Sequence, residues 1–152
     1  MTVRGTMAIR YQHTQRGIVM LASLIAGAVL SAAVGAIGPA PLPWLLGAVA
    51  VGLLVMARLF ASLTVIVNED ELRWYFGPGT FRYRLPLAEV ASVRVVRNSV
   101  LNGFGIRMGP GFRLYNVSGL DAVELHLKNG EIRRIGTDDP SGLAAALSTS
   151  VA

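Results

Sequence analysis

"ARLFASLTVIVNEDELRWYF", residues 57–76, holds the change of pattern that decides the fold. Before Phe60 the chain is apolar with little regard to face, apart from Arg58. From Ser62 onward the apolar residues alternate with others. Leu63, Val65 and Val67 share one face; after Asn68-Glu69-Asp70, so do Leu72, Trp74 and Phe76, with Arg73 and Tyr75 between them. A segment apolar all round is one that sits in lipid or a large core. Period two is the mark of a strand with one buried face. The chain therefore passes from one kind of structure to another near residue 61.

On the N-terminal side, Leu42 to Phe60, "LPWLLGAVAVGLLVMARLF", reads as a membrane span, with Trp44 suited to one interface and Arg58 able to reach headgroups at the other. Ahead of it, "GPAPLP" places Pro39, Pro41 and Pro43 where a helix cannot continue. Gly17 to Ile37 is apolar or small throughout, and about 20 residues at about 1.5 Å each cross a hydrocarbon core of roughly 30 Å. The short connection predicts an antiparallel helical hairpin. The first run is longer than the apolar segment of a cleaved signal, which favours two spans.

Charge sets the expected orientation. Arg4, Arg10 and Arg16 precede the first span, Arg58 closes the second, and the connecting loop carries no charge. By the positive-inside rule both termini are cytoplasmic, in a multi-pass protein of the inner membrane. Charged residues make up only 15% of the chain, against roughly 25% in soluble domains. All nine acids follow residue 68, so the excess positive charge lies near the spans rather than along the later domain, which argues against nucleic acid as a partner. The absence of cysteine excludes disulfides, thiolate metal sites and cysteine nucleophiles. Ser23, Gly27, Ser31 and Gly35 recur every fourth residue as a ridge for close helix packing, either against the second helix, where Ala48 and Gly52 are expected to face it, or against another copy.

Beyond residue 76 the alternation continues. "FRYRL" sets Phe81, Tyr83 and Leu85 inward and Arg82 and Arg84 outward; "LAEV" reads as one helical turn; "ASVRVV" sets Val93 and Val95 inward and Arg94 outward. "FRLYNV" is another strand, and "AVELHLKNGEIRRI" is a hairpin about Asn129-Gly130. In "DDPSGLAAALSTSV", Asp138 or Asp139 caps a helix with Pro140 in its first turn and Leu143, Ala146, Leu147 and Val151 as its apolar face. Short strands with turns at this spacing predict an antiparallel meander of about seven strands with a final helix.

The order of parts resembles small bacterial membrane proteins that carry a pleckstrin-homology-like (PH-like) domain. The resemblance rests on "LRWYFGPG…RYRLPLAEVASVRVV", on "GIR…LYNVSGLDAVEL.LKNG…RIGTDDP" and on "YQHTQRG" before the first span, and covers Tyr11 to Leu147. It implies a tail at 1–16, a transmembrane hairpin at 17–61 and, at 62–152, a bent two-sheet barrel closed by the C-terminal helix. In the eukaryotic relatives of such domains the barrel often binds phosphoinositides through basic residues in an open loop, but this chain departs there. Its first hairpin loop, Asn68 to Asp70, is acidic and has no lysine or arginine.

No catalytic constellation emerges. His13 and His126 have no sequence-near partners at metal-ligand spacing, GxSxG is absent, and His126 reads as part of a solvated strand face. The glycine-rich "NGFGIRMGPGF", residues 102–112, suggests a phosphate loop at first sight. A strand follows it rather than a helix, so it reads as a bend at Gly103 and Gly105 and a turn at Gly109-Pro110-Gly111, with Arg107 and Arg113 as an exposed pair. No nucleotide, metal or other cofactor is expected, and no enzymatic activity.

What remains is basic surface. Arg73, Arg82, Arg84 and Arg94 lie in the outward sets of neighbouring strands and would form one face in a meander, either simply solvated or directed at headgroups or an acidic partner. The reading is a non-catalytic binding or scaffolding module on the cytoplasmic face, engaging a protein partner or itself. The alternatives are a sensor of anionic membrane lipid and an accessory subunit of a transporter or membrane enzyme.

Overall fold

The computed structural model describes residues 8–151, with side chains through Thr149. Arg4 and the side chain of Val151 lie outside the described residues. Strand β1 (Tyr11–Arg16) leads into helices α1 (Ile18–Ile37) and α2 (Leu42–Leu59). Then come β2 (Ser62–Val67), β3 (Glu71–Phe76), β4 (Phe81–Pro86), β5 (Val90–Arg97), β6 (Gly105–Gly109), β7 (Phe112–Asn116), β8 (Asp121–Leu127), β9 (Ile132–Gly136) and helix α3 (Pro140–Val151).

Both long helices are long and apolar enough to cross a membrane, and only 11% of each apolar window is buried by the rest of the chain. That separates them from the core helices of a soluble domain, whose apolar stripe is covered. They pack on each other through small residues. A Cβ added at Gly27 would lie 3.3 Å from Leu53 Cδ1, and one at Gly35 would lie 3.1 Å from Leu46 Cβ. Ala28, Ala50 and Ala57 are buried. On α2 the contact face is therefore Leu46, Ala50, Leu53 and Ala57, at steps of three and four. The expected Ala48 and Gly52 point away, with open space around Gly52. Ser31 is half-buried, while Ser23 is exposed and returns its hydroxyl to Val19 O at 2.9 Å.

The residues before α1 are not a tail. Tyr11–Arg16 pairs antiparallel with β2 in full register, from Tyr11 opposite Val67 to Arg16 opposite Ser62. The pairing puts both ends of the helical hairpin on one side of it. The base is bonded shut: Gly17 N donates to Ala61 O, and Gly77 N to Ser62 O, each at 2.8 Å. Gly77, at φ +48°, lies against the last carbonyls of α2 at Arg58 and Leu59, where any side chain would collide.

Two sheets follow, in the orders β1-β2-β3-β4 and β5-β8-β9-β7-β6. They share no strand pairing among the described residues, so the pair is open and is not a closed barrel. The second sheet also departs from a meander: β7 and β9 are parallel neighbours, and β8 lies between β5 and β9. The core forms where the inward sets meet. Leu63, Val65, Val67, Leu72, Trp74, Phe76 and Leu85 of the first sheet pack with Tyr115, Val123, Leu125 and Ile135 of the second. Trp74, Tyr83 and Tyr115 bridge the sheets, with Tyr83 and Tyr115 centroids 4.8 Å apart and Trp74 and Tyr115 5.1 Å apart. Val95 departs from its expected inward place and is 55% exposed, because β5 is an edge strand that runs past the core.

Helix α3 closes one side, with Leu143 and Leu147 fully buried. Asp139 is its cap: the carboxylate accepts from Gly142 N at 3.0 Å. The other carboxylate oxygen accepts from Tyr11 OH at 3.0 Å, and His13 meets Asp138 at 2.5 Å. Strand β1 is thereby held at its inward face by the start of α3. Burial, and then the adjacent Asp139 carboxylate, push the Tyr11 hydroxyl well above its ordinary pKa.

Candidate functional site

The outward face of β3 and β4 carries the basic residues that the alternation places there. Arg73 lies directly opposite Arg84, and Tyr75 opposite Arg82. On the other side of β3, Ile66 is opposite Arg73 and Thr64 is opposite Tyr75. Like charges directly opposite one another cost a few tenths of a kcal/mol or more, so the Arg73–Arg84 pair is unfavourable in isolation. Glu71, which belongs to β3 and lies two residues before Arg73 on the same face, forms an ion pair with Arg73. Even so, Arg73 Nε is buried without an acceptor among the described residues. Arg82 uses Nε on Gly79 O at 2.6 Å, a backbone contact that orients the guanidinium without neutralising it. Arg84 is exposed.

Together with the turn after β3, these side chains line an open concavity of about 310 Å3, edged by Ile66, Arg73, Tyr75, Pro78, Arg82 and Arg84. Its chemistry is that of an anion seat: planar forked donors on one wall, a phenol, and an apolar rim. It also lies near the helical hairpin, since Gly77 of the same turn touches the end of α2.

Arg94 does not join this face. It lies on β5 in the other sheet, opposite Glu124. There the arrangement differs. Glu124, only 5% exposed, accepts from Arg134 Nε at 2.7 Å and contacts His126 Nε2 at 2.7 Å. Burial works to raise the Glu124 pKa, but the hydrogen bonds and charges of Arg134 and His126 outweigh it and hold the carboxyl below its usual range. Arg134 also reaches Asn98 Oδ1 at 3.3 Å and lies 4.0 Å over the Phe112 ring. His126 is thus a member of a part-buried network and not a plain solvated residue. A two-residue Asn129-Gly130 turn would set Glu124 opposite Ile135. The loop is one residue longer, with Leu127 N bonded to Glu131 O, and this shifts Arg134 opposite Glu124, so the network was not readable from the expected turn.

No family model, curated protein or solved structure matches this chain. The remaining predicted residues are therefore placed by geometry alone. Arg107 and Arg113 are both exposed on the β6–β7 hairpin, but on opposite faces: Arg107 is across from Leu114 and Arg113 across from Met108. They are not a pair. Arg107 Nε donates to Phe104 O at 3.0 Å and fixes the preceding bend. Arg113 faces the inter-sheet side near Tyr83, whose pKa is raised by burial and Tyr115 against the opposing charge of Arg113. The glycine-rich stretch is a bend and a hairpin, with positive φ at Gly103, Gly105 and Gly111 and a strand on each side of the turn. Arg16 is exposed at the base of β1, and Arg58 is exposed in the last turn of α2. Arg10 is exposed just before β1, its backbone N bonded to Val67 O. Asn116, in the sequon-like "NVS", is buried and spends its amide on Gly119 O at 2.9 Å.

Proposed function

We infer that this chain is a membrane-anchored, non-catalytic binding module. Its helical hairpin crosses the inner membrane, and its sheet domain stands on the cytoplasmic side in a PH-like arrangement of two sheets and a closing helix. In this reading the outward face of β3 and β4 engages an acidic surface on a protein partner or on another copy. The observation that carries it is the cross-strand Arg73–Arg84 pair beside Arg82, whose Nε meets only a backbone oxygen: a like-charge cost on an exposed face that an external carboxylate or phosphate relieves. The cytoplasmic orientation follows from Arg10, Arg16 and Arg58 at the open end of the hairpin. Crosslinking in native membranes at graded protein levels, followed by mass spectrometry, tests it. A specific adduct is expected that Arg82→Glu/Arg84→Glu abolishes; monomer alone at every level would overturn it.

A second reading, anionic-lipid sensing, is favoured by the contact of Gly77 with the end of α2, which keeps the basic concavity close to the headgroup layer. The cysteine-free chain allows a Tyr75→Cys probe. Lipid sensing predicts an emission shift between neutral and anionic nanodiscs that salt suppresses. Identical spectra in both would leave the protein partner as the sole occupant.

A further inference from the structure

The most exposed apolar side chains of the sheet domain cluster in one short segment. Leu101 is 95% exposed, Met108 85% and Val100 70%, with Ile106 partly exposed beside them. A leucine left almost wholly in water usually marks a mobile loop, yet this segment is braced. Ser99 Oγ accepts from Leu101 N at 3.3 Å, Asn102 N and Gly103 N return to Ser99 O and Val100 O, and Arg107 Nε holds Phe104 O. The braces hold the apolar side chains outward.

The position of the segment says what it faces. Gly105, in its middle, has Met20 as its nearest neighbour: a Cβ there would lie 3.4 Å from Met20 Cε. Met20 is in the first turn of α1, a helix of 20 residues. At about 1.5 Å per residue that helix matches the hydrocarbon thickness, so its first turn marks the edge of the apolar layer. Leu101 and Met108 are four and three residues from Gly105, which keeps their Cα atoms within about 14 Å of Gly105, the neighbour of α1, even if fully extended. Arg107 alternates with Ile106 and Met108 along β6 and so points to the other face. An apolar set flanked by a guanidinium is the composition of an interfacial anchor.

We propose that residues 100–108 form a third membrane contact, with Val100, Leu101 and Met108 entering the interface beside α1 and Arg107 meeting headgroup phosphates. The contact rests on the membrane-anchored reading above. It fixes the tilt of the sheet domain against the bilayer, and hence the direction in which the basic face of β3 and β4 looks.

The test uses the full chain in vesicles of zwitterionic and anionic phospholipid, with single cysteines carrying a fluorophore. Ile18→Cys reports α1, Asn129→Cys reports the exposed β8–β9 turn, and Leu101→Cys and Met108→Cys report the segment. Lipids spin-labelled on the acyl chain should quench Leu101→Cys and Met108→Cys to an extent comparable with Ile18→Cys, while Asn129→Cys stays bright. Adding Val100→Asp should return Met108→Cys toward the Asn129→Cys level without changing Ile18→Cys. Quenching of Leu101→Cys and Met108→Cys by water-soluble quencher alone overturns the proposal. So does protection from both quenchers that disappears on dilution, which would mark contact between copies. If Ile18→Cys is also unquenched and alkaline carbonate releases the protein, the anchored reading itself has failed.

Discussion

The two sheets carry similar numbers of outward arginines but handle them in opposite ways. On the second sheet, Arg94 and Arg134 flank Glu124, a carboxylate that is nearly buried and bonded to both Arg134 and His126. Arg134 is neutralised within the fold, whereas Arg94 is exposed and forms no ion pair with Glu124 among the described residues. On the first sheet, Arg73 has Glu71, whereas Arg82 has a backbone oxygen and Arg84 faces Arg73. Arginine on a strand thus says little by itself. Whether a carboxylate actually bonds the guanidinium decides whether the residue stabilises the domain or is left for something outside it.

Removing Glu124 should have the largest effect. Glu124→Ala leaves Arg134 and His126 around an empty acceptor site and should cost about 3 kcal/mol. Denaturant unfolding of the full chain in detergent, read by Trp74 fluorescence in a Trp44→Phe background, measures this. A loss below about 0.5 kcal/mol would place the second sheet's charges in the same class as the first's.

Asp139→Ala comes next, at about 1–2 kcal/mol, since it removes the cap of α3 and the Tyr11 acceptor together. Tyr11→Phe should account for the smaller part of that loss. Equal losses would mean that the cap itself contributes little.

Acid should separate the sheets as well. The folded pKa of Glu124 is lowered, so its contribution is full above the unfolded value of about 4.3 and is lost as pH falls through the folded value. The gap between wild type and Glu124→Gln should therefore close on acidification below that point. A gap that stays constant down to the lowest accessible pH would mean that Glu124 is not held as a carboxylate.

The smallest effect on stability is expected where the effect on binding is greatest. Arg82→Glu/Arg84→Glu should move the unfolding midpoint by no more than about 0.5 kcal/mol in either direction, because no ion pair is lost. Marked destabilisation would show that the basic face is structural.

Much of the fold was legible because its signals are local. The two apolar runs gave α1 and α2 to within a residue or two, the alternation placed Trp74 and Phe76 in the core, and Asp139-Pro140 started α3. Strand β1 escaped because its inward set is Tyr11, His13 and Gln15, which lacks the aliphatic alternation of its neighbours. Gln15 is buried through a bond from its amide to Ser118 O at 2.8 Å, a partner 103 residues away. The parallel β7–β9 pair escaped for a related reason: strand order in the second sheet is set by packing across the core, not by any turn. That same order removed Arg94 from the basic face, while Arg73, Arg82 and Arg84 stayed together because a tight turn joins their strands. The side-chain ridge on α1 was half legible, with Gly27 and Gly35 in the interface and Ser23 outside it.

The contrast between the sheets is tested most directly by photo-crosslinking from both outward faces in native membranes. One photoreactive residue replaces Tyr75, between Arg82 and the Arg73–Arg84 pair, and another replaces Ser92, exposed opposite His126. An adduct from position 75 that is absent from position 92, and that disappears in Arg82→Glu/Arg84→Glu, is the result expected if the unneutralised face is the one that binds. The same adduct from both positions, or one from position 75 that survives the charge reversal, would contradict it.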